Sequence, residues 1–184
     1  MIPTVSNGKL TPTSYVVLGL VALLGEATSY DMKRLVGMSI GYFWTFPHSQ
    51  LYAEPERLVA MGLLEERREE GGRRRRLYSI TDAGREELKD WLSDPEIPPI
   101  EMRDTGTLKL FFGNFTTPEN VRHLAERQLE AYERESKAYV ELREMFGGVS
   151  GIDTQLATLR QGEMVLDACM RFWREIAENP PVPQ

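Results

Sequence analysis

Residues 51–80, LYAEPERLVAMGLLEERREEGGRRRRLYSI, constrain the fold more than any other stretch. A helical pattern with Leu51, Leu58, Val59 and Met61 on its apolar side ends at Gly62 and runs straight into Leu63 and Leu64. Glu65 to Glu70 are charged and solvated, Gly71-Gly72 supplies the positive-φ positions of a tight hairpin turn, and Leu77, Tyr78 and Ile80 return as strand. Arg73, Arg74, Arg75 and Arg76 therefore sit at the hairpin tip and on its returning strand. Guanidinium groups on a projecting hairpin can neutralise phosphates and enter a narrow minor groove. The alternative is a solvated charge run, with Glu65, Glu66, Glu69 and Glu70 lying cross-strand from the arginines.

Upstream, Thr11-Pro12 predicts a helix start, with threonine as cap and proline at the first helical position, and Tyr15 to Leu24 reads as a buried apolar helix stopped by Gly25. Thr28 or Ser29 caps a second helix to about Met38, with Tyr30, Met32, Leu35 and Val36 inward and Lys33 and Arg34 free to face a nucleic-acid backbone. After an aromatic connection, Pro47 opens a third helix. Its early residues His48, Ser49, Gln50, Tyr52 and Ala53 are candidates to meet base edges; glutamine can pair bidentately with adenine, and serine or histidine can bond at several edges. Three helices and a hairpin in this order are the sequence form of a winged helix-turn-helix, so the expected fold is mainly α with a small β-hairpin wing.

The chain is acidic overall, with 22 Lys+Arg against 28 Asp+Glu. Split at Ser93, the first part holds 12 basic and 12 acidic residues and the second 10 and 16. The first part is neutral with its arginines clustered, so local geometry must carry any phosphate contact, and binding should depend strongly on salt. Thr81 caps a fourth helix to about Leu92, carrying Leu88 and Trp91 on one face. Asp94 to Pro99 then reads as a linker, giving a DNA-binding domain at 1–93, a linker at 94–99 and a helical domain at 100–184. The last predicts a short helix from about Met102 to Phe112, a long one from Thr117-Pro118 to Gly147-Gly148, and another from about Ile152 to Glu178. Ile152, Leu156, Leu159, Leu166, Met170 and Trp173 fall on a heptad spacing broken by Glu163, and Val165, Cys169, Phe172 and Ile176 widen the stripe. Stripes this wide exceed what two or three helices bury alone. Pairing with a second copy would cover them, so a homodimer through Leu156, Leu159, Leu166, Met170 and Trp173 is expected; packing back on the chain's own first part is the alternative.

Leu18-Gly19-Leu20, Ser29-Tyr30-Asp31, Pro47 to Tyr52, Gly62-Leu63-Leu64 and Tyr78 to Gly84 stand in an order and spacing that resemble the PadR family of bacterial transcriptional regulators. The resemblance covers about the first ninety residues; the later helices resemble the longer C-terminal region of many PadR-type proteins. It implies a dimeric regulator of double-stranded DNA, usually a repressor, whose two wings read half-sites of a pseudo-palindromic operator about one helical turn apart. It also implies that some members release DNA on binding aromatic acids or lipophilic drugs at the dimer interface. Here Phe111, Phe112, Tyr139, Phe172 and Trp173 could line such a cavity or simply form core. One departure is Pro55, where the family continues the reading helix with an ordinary helix former. An interior proline removes the bond to the Leu51 carbonyl, so a kink near Tyr52 to Glu54 is expected.

Enzymatic classes find no support in the residues. His48 and His123 are the two histidines and Cys169 the one cysteine; no thiol–imidazole pair, metal-ligand spacing or phosphate loop is suggested, and no cofactor or metal is expected. Cys169 reads as a small apolar side chain. The apolar run Val16 to Leu24 is too short to span a bilayer, and a cytoplasmic location with no membrane partner is expected. Two rivals remain: a winged-helix module whose arginines meet an acidic protein, and a ligand-binding dimer that has lost DNA binding.

Overall fold

The computed structural model describes residues 9–69 and 74–181, so the Gly71-Gly72 turn and Arg73 lie outside the described residues. The chain divides between Pro98 and Pro99 into two compact units.

In the first unit, α1 (Pro12–Leu24) begins at a capping box: the Thr11 amide donates to Ser14 Oγ at 2.8 Å, and the Ser14 amide to Thr11 Oγ1. Gly25, at φ 75°, ends it in the left-handed region that glycine adopts without steric cost. A two-residue strand, β1 (Glu26–Ala27), leads to α2 (Ser29–Gly37), whose cap Thr28 forms a second box with Asp31. Then come α3 (Gln50–Ala60), β2 (Leu64–Arg68), β3 (Arg76–Ile80) and α4 (Asp82–Ser93), capped by Thr81. The sheet is antiparallel in the order β1-β3-β2; Glu26 faces Ser79, and Leu64 faces Ile80. This register sends Leu64, Tyr78 and Ile80 inward onto Leu18, Val21, Met32, Leu51 and Leu58. Burial of each such leucine contributes about 1.5–3 kcal/mol, which fixes α3 and the hairpin on one core.

Several expectations need correction here. Pro47 does not open the third helix: the Gln50 amide donates to the Pro47 carbonyl in a preceding turn, and α3 begins at Gln50 with Ser49 as a cap that makes no side-chain bond. Tyr30 points outward, since the core stripe of α2 runs through Met32, Leu35 and Val36. Helix α3 remains helical through Pro55. The ring is buried on the same face as Leu51 and Leu58, so this proline is a core residue. Leu23 and Leu24, read as core, are exposed at the C-terminal end of α1. Strand β1 went unforeseen.

The second unit comprises α5 (Thr105–Phe111), α6 (Pro118–Phe146) and α7 (Asp153–Glu178). The short helix starts three residues after Met102 because Asp104 caps it, its carboxylate accepting from the Gly106 amide at 2.7 Å. Thr117 caps α6, with Pro118 at its first position. The two long helices run antiparallel: Arg122 Nε donates to the Ala177 carbonyl at 3.1 Å near one end, and Arg143 Nη1 lies 2.9 Å from Glu163 Oε1 toward the other. The Glu163 contact is an ion pair without hydrogen-bond angles. Between them the Tyr139 ring packs on Gly162, where a Cβ would stand 2.2 Å from Cε1. Gly106 likewise admits Gln128 against α5.

No helix among the described residues is long and apolar enough to cross a membrane, and no group of three His, Cys, Asp or Glu side chains among them could hold a metal ion.

Candidate nucleic-acid interface

Helix α3 has two unlike sides. Leu51, Pro55 and Leu58 recur at helical spacing and are buried, so Tyr52, Ala53 and Glu56 must project outward. His48 and Ser49 in the preceding turn and Gln50 at the first helical position are also exposed. The helix is anchored from behind by Arg57. Its Nε and Nη2 donate to Glu54 at 3.0 and 2.6 Å, and Nη2 reaches the buried Ser14 hydroxyl of the α1 cap at 2.9 Å. The Glu54 carboxyl pays for burial, yet the bonds from Arg57 and Ser14 outweigh it and hold its pKa below the ordinary value. An ionised, hydrogen-bonded anchor of this kind leaves the outer residues free to meet a partner without unfixing the helix.

Lys33 and Arg34 are exposed on α2. The Thr28 hydroxyl and amide, donating at 2.7 and 3.0 Å, hold the Asp31 carboxyl below its ordinary range and fix the start of that helix.

The hairpin arginines divide into different environments. Arg74, with φ 45°, is exposed and makes no ion pair among the described residues. Arg75 is paired with Glu69 through two bonds of 2.9 and 3.0 Å across the hairpin. Arg76 begins β3 and meets Glu56 of α3, with Glu66 of β2 3.7 Å from its Nε. Arg67 of β2, not singled out by the sequence pattern, forks onto Glu26 of β1 at 3.1 and 2.8 Å. The cross-strand acids are thus real neighbours. Exposed pairs of this type are worth only about 0–1 kcal/mol each, so a phosphate can compete for Arg75.

In the second unit, the aromatic candidates form two separate ring pairs. Phe111 and Phe112 meet edge to face at 5.1 Å and are exposed at the end of α5; Phe172 and Trp173 do so at 5.2 Å on α7. Tyr139 and Trp173 are buried inside the unit. Tyr132 has its pKa pushed up to about 12, first by burial and then by neighbouring Cys169. Of the residues expected at a dimer interface, Leu166 and Trp173 are buried within the unit, while Leu156, Leu159 and Met170 are half-exposed.

The Transcriptional regulator PadR-like family matches residues 17–90, and the Virulence activator alpha C-term family matches residues 102–179. Residues 17–90 are a domain of the PadR-like family of transcriptional regulators. The negative transcriptional regulator PadR of Bacillus subtilis is 31% identical over 118 residues, covering 63% of this chain and 64% of the relative. A probable transcriptional regulator of Mycobacterium tuberculosis is 31% identical over 149 residues, 77% of this chain and 65% of the relative. The chain therefore spans just under two thirds of each of these relatives' length. Among solved structures, Bacillus subtilis PadR in complex with operator DNA superposes with a TM-score of 0.82 at 24% identity, covering 91% of this chain and 98% of the other. The same protein in complex with p-coumaric acid gives 0.75 at 23% identity over 90% and 96%. A PadR-like regulator from Bacillus cereus gives 0.77 at 20% identity over 90% and 95%. The PadR-like fold, winged helix-turn-helix followed by long helices, is common to all of them.

Proposed function

We propose that this PadR-like regulator is a cytoplasmic repressor that binds a pseudo-palindromic operator in double-stranded DNA as a homodimer. The observation that carries the reading is the two-sidedness of α3. Its inner face is committed to the core, while His48, Ser49, Gln50 and Tyr52 stand exposed in a polar row beside the arginine hairpin. A protein-binding winged helix would more often expose apolar anchors there. In this reading the row faces base edges in the major groove, and Arg73, Arg74 and Arg75, with Lys33 and Arg34, meet phosphates.

The dimer reading rests on α7. Leu156, Leu159 and Met170 are half-exposed on the side that carries the buried Leu166 and Trp173, and Val165 and Phe172, seven residues apart, stand exposed on another face; a second copy would cover both. Effector response belongs to the same proposal. Tyr139 and Trp173 already pack inside the unit, so a flat aromatic acid would meet the exposed rings Phe111, Phe112 and Phe172; the relative solved with p-coumaric acid makes that compound the first to try.

The test is a salt titration of binding to genomic fragments that include the protein's own promoter, with sedimentation of the free protein alongside. Wild type should sediment as a dimer and select the promoter fragment with affinity falling steeply in salt, and Arg73, Arg74 and Arg75 all changed to alanine should abolish that binding. A folded dimer without selective binding contradicts the DNA reading and transfers the weight to a protein-binding module or a ligand-binding dimer.

A further inference from the structure

Arg76 differs from the other hairpin arginines in how many elements it touches. Its Nη1 meets Glu56 Oε1 on α3, and its Nε lies 3.7 Å from Glu66 Oε1 on β2. That same Glu66 oxygen accepts from Arg68 Nε at 2.9 Å. Glu56 lies one helical turn beyond Tyr52, on the same outward side of α3. One planar fork thus joins the outer face of the reading helix to both strands of the hairpin.

We propose that Arg76 is a positioning residue: with Glu56 and Glu66 it forms a strut that sets the hairpin wing against the reading helix, and it is not a phosphate ligand. The inference rests on the DNA reading only for its functional consequence. Charge supports it. Two carboxylates from two different elements converge on this one guanidinium, whereas Arg75 pairs with a single carboxylate and Arg74 with none among the described residues. Geometry supports it as well. The fork reaches Glu56 through Nη1 and Glu66 through Nε, and a lysine ammonium on a flexible stem cannot hold that arrangement.

Two substitutions distinguish a strut from a phosphate contact. Glu56→Ala removes one end while favouring the helix, and Arg76→Lys keeps the charge while removing the fork. Amide hydrogen exchange in the full-length free protein should show faster exchange across residues 64–68 and 76–80 in both variants, with α1 unchanged. On the promoter fragment each should bind about two- to fivefold more weakly, the double variant no worse than the weaker single, and the slope of affinity against salt should stay that of wild type. Unchanged exchange in the wing overturns the strut. So does Arg76→Lys binding like wild type while Glu56→Ala binds more tightly, the signature of a phosphate ligand released from a competing acid. Faster wing exchange in a protein that binds no DNA sustains the strut and refutes only the DNA reading.

Discussion

The Tyr15 ring lies stacked on the Trp91 indole, with centroids 4.6 Å apart and planes within 7° of parallel, and the Tyr15 hydroxyl donates to Glu87 at 2.9 Å. This contact joins α1 to α4 outside the buried core, since the indole remains 45% exposed. An aromatic pair adds about 0.5–1.5 kcal/mol beyond its area. Trp91→Ala should therefore cost about 1–2 kcal/mol in urea unfolding. Leu92→Ala at the neighbouring, more exposed position should cost less than about 0.5 kcal/mol. Equal losses would show that the stacking contributes nothing.

Gly84 sits so close to the hairpin base that an added Cβ would stand 2.1 Å from the Leu63 carbonyl oxygen and 2.9 Å from Ile80 Cγ1. The nearer obstacle is backbone and cannot swing aside. Gly84→Ala should destabilise by about 1–3 kcal/mol or more, although alanine favours helix by about 1 kcal/mol. Gly37→Ala, where nothing lies within 4 Å, is the control and should be neutral or stabilising. Thermal unfolding of the two variants side by side decides it.

Pro55→Ala sets two effects in opposition. It restores an amide beneath the Leu51 carbonyl and relieves a helix-interior proline worth up to about 3 kcal/mol. It also empties part of a buried ring site at about 0.8 kcal/mol per methylene and releases entropy to the unfolded chain. The expected net change is under about 1 kcal/mol of either sign. A loss above about 2 kcal/mol in denaturant unfolding would mean that the ring's packing dominates.

Asp31 provides a pH signature. The bonds from the Thr28 hydroxyl and amide lower its folded pKa below the unfolded value, so its stabilisation is complete above the unfolded pKa and is lost as pH falls through the folded one. Asp31→Asn should be less stable at pH 7 by about 0.5 kcal/mol after allowance for solvent screening, and the gap should close at pH values below the ordinary aspartate range. A gap that persists unchanged into acid would assign the difference to geometry instead of charge.

On DNA, base-reading and phosphate-contacting residues should separate by their salt response. Gln50→Ala is expected to reduce preference for the promoter fragment about tenfold with the salt slope unchanged, because a lost base contact costs about 1–3 kcal/mol and releases no counterion. Arg74→Ala should weaken promoter and random fragments alike and reduce the slope by about one. Identical slopes for Arg74→Ala and wild type would remove that residue from the phosphate contacts.

Helix starts were the most legible feature of the sequence. Thr11, Thr28, Thr81 and Thr117 all cap helices as their local chemistry predicts, each accepting from an amide three residues on. The two antiparallel hairpin strands were legible from Leu63-Leu64 and from Leu77, Tyr78 and Ile80 on either side of Gly71-Gly72 in the sequence. What escaped depends on partners distant in the chain. Glu26–Ala27 is too short to carry a period and becomes strand only by pairing with Tyr78 and Ser79. Tyr30 satisfies an apolar pattern but falls beside the core stripe. Pro55 reads as a defect until the core that receives its ring is present. The arginine run looks uniform as sequence, and its members differ only once Glu56 and Glu69 are brought near.

Thr81 closes the wing at its base. Its hydroxyl lies 2.8 Å from the Gly62 carbonyl and 3.1 Å from that of Leu63, its amide donates to the Leu63 carbonyl at 3.2 Å, and its Oγ1 caps α4 by accepting from the Gly84 amide. The chain thus enters and leaves the hairpin through one knot of bonds. Because closing a longer loop costs only about 0.6 kcal/mol per doubling, residues can be added to or removed from the tip while both ends stay pinned. The wing is in this sense an interchangeable part: its reach toward a partner can be retuned by length alone, leaving the helix beside it undisturbed.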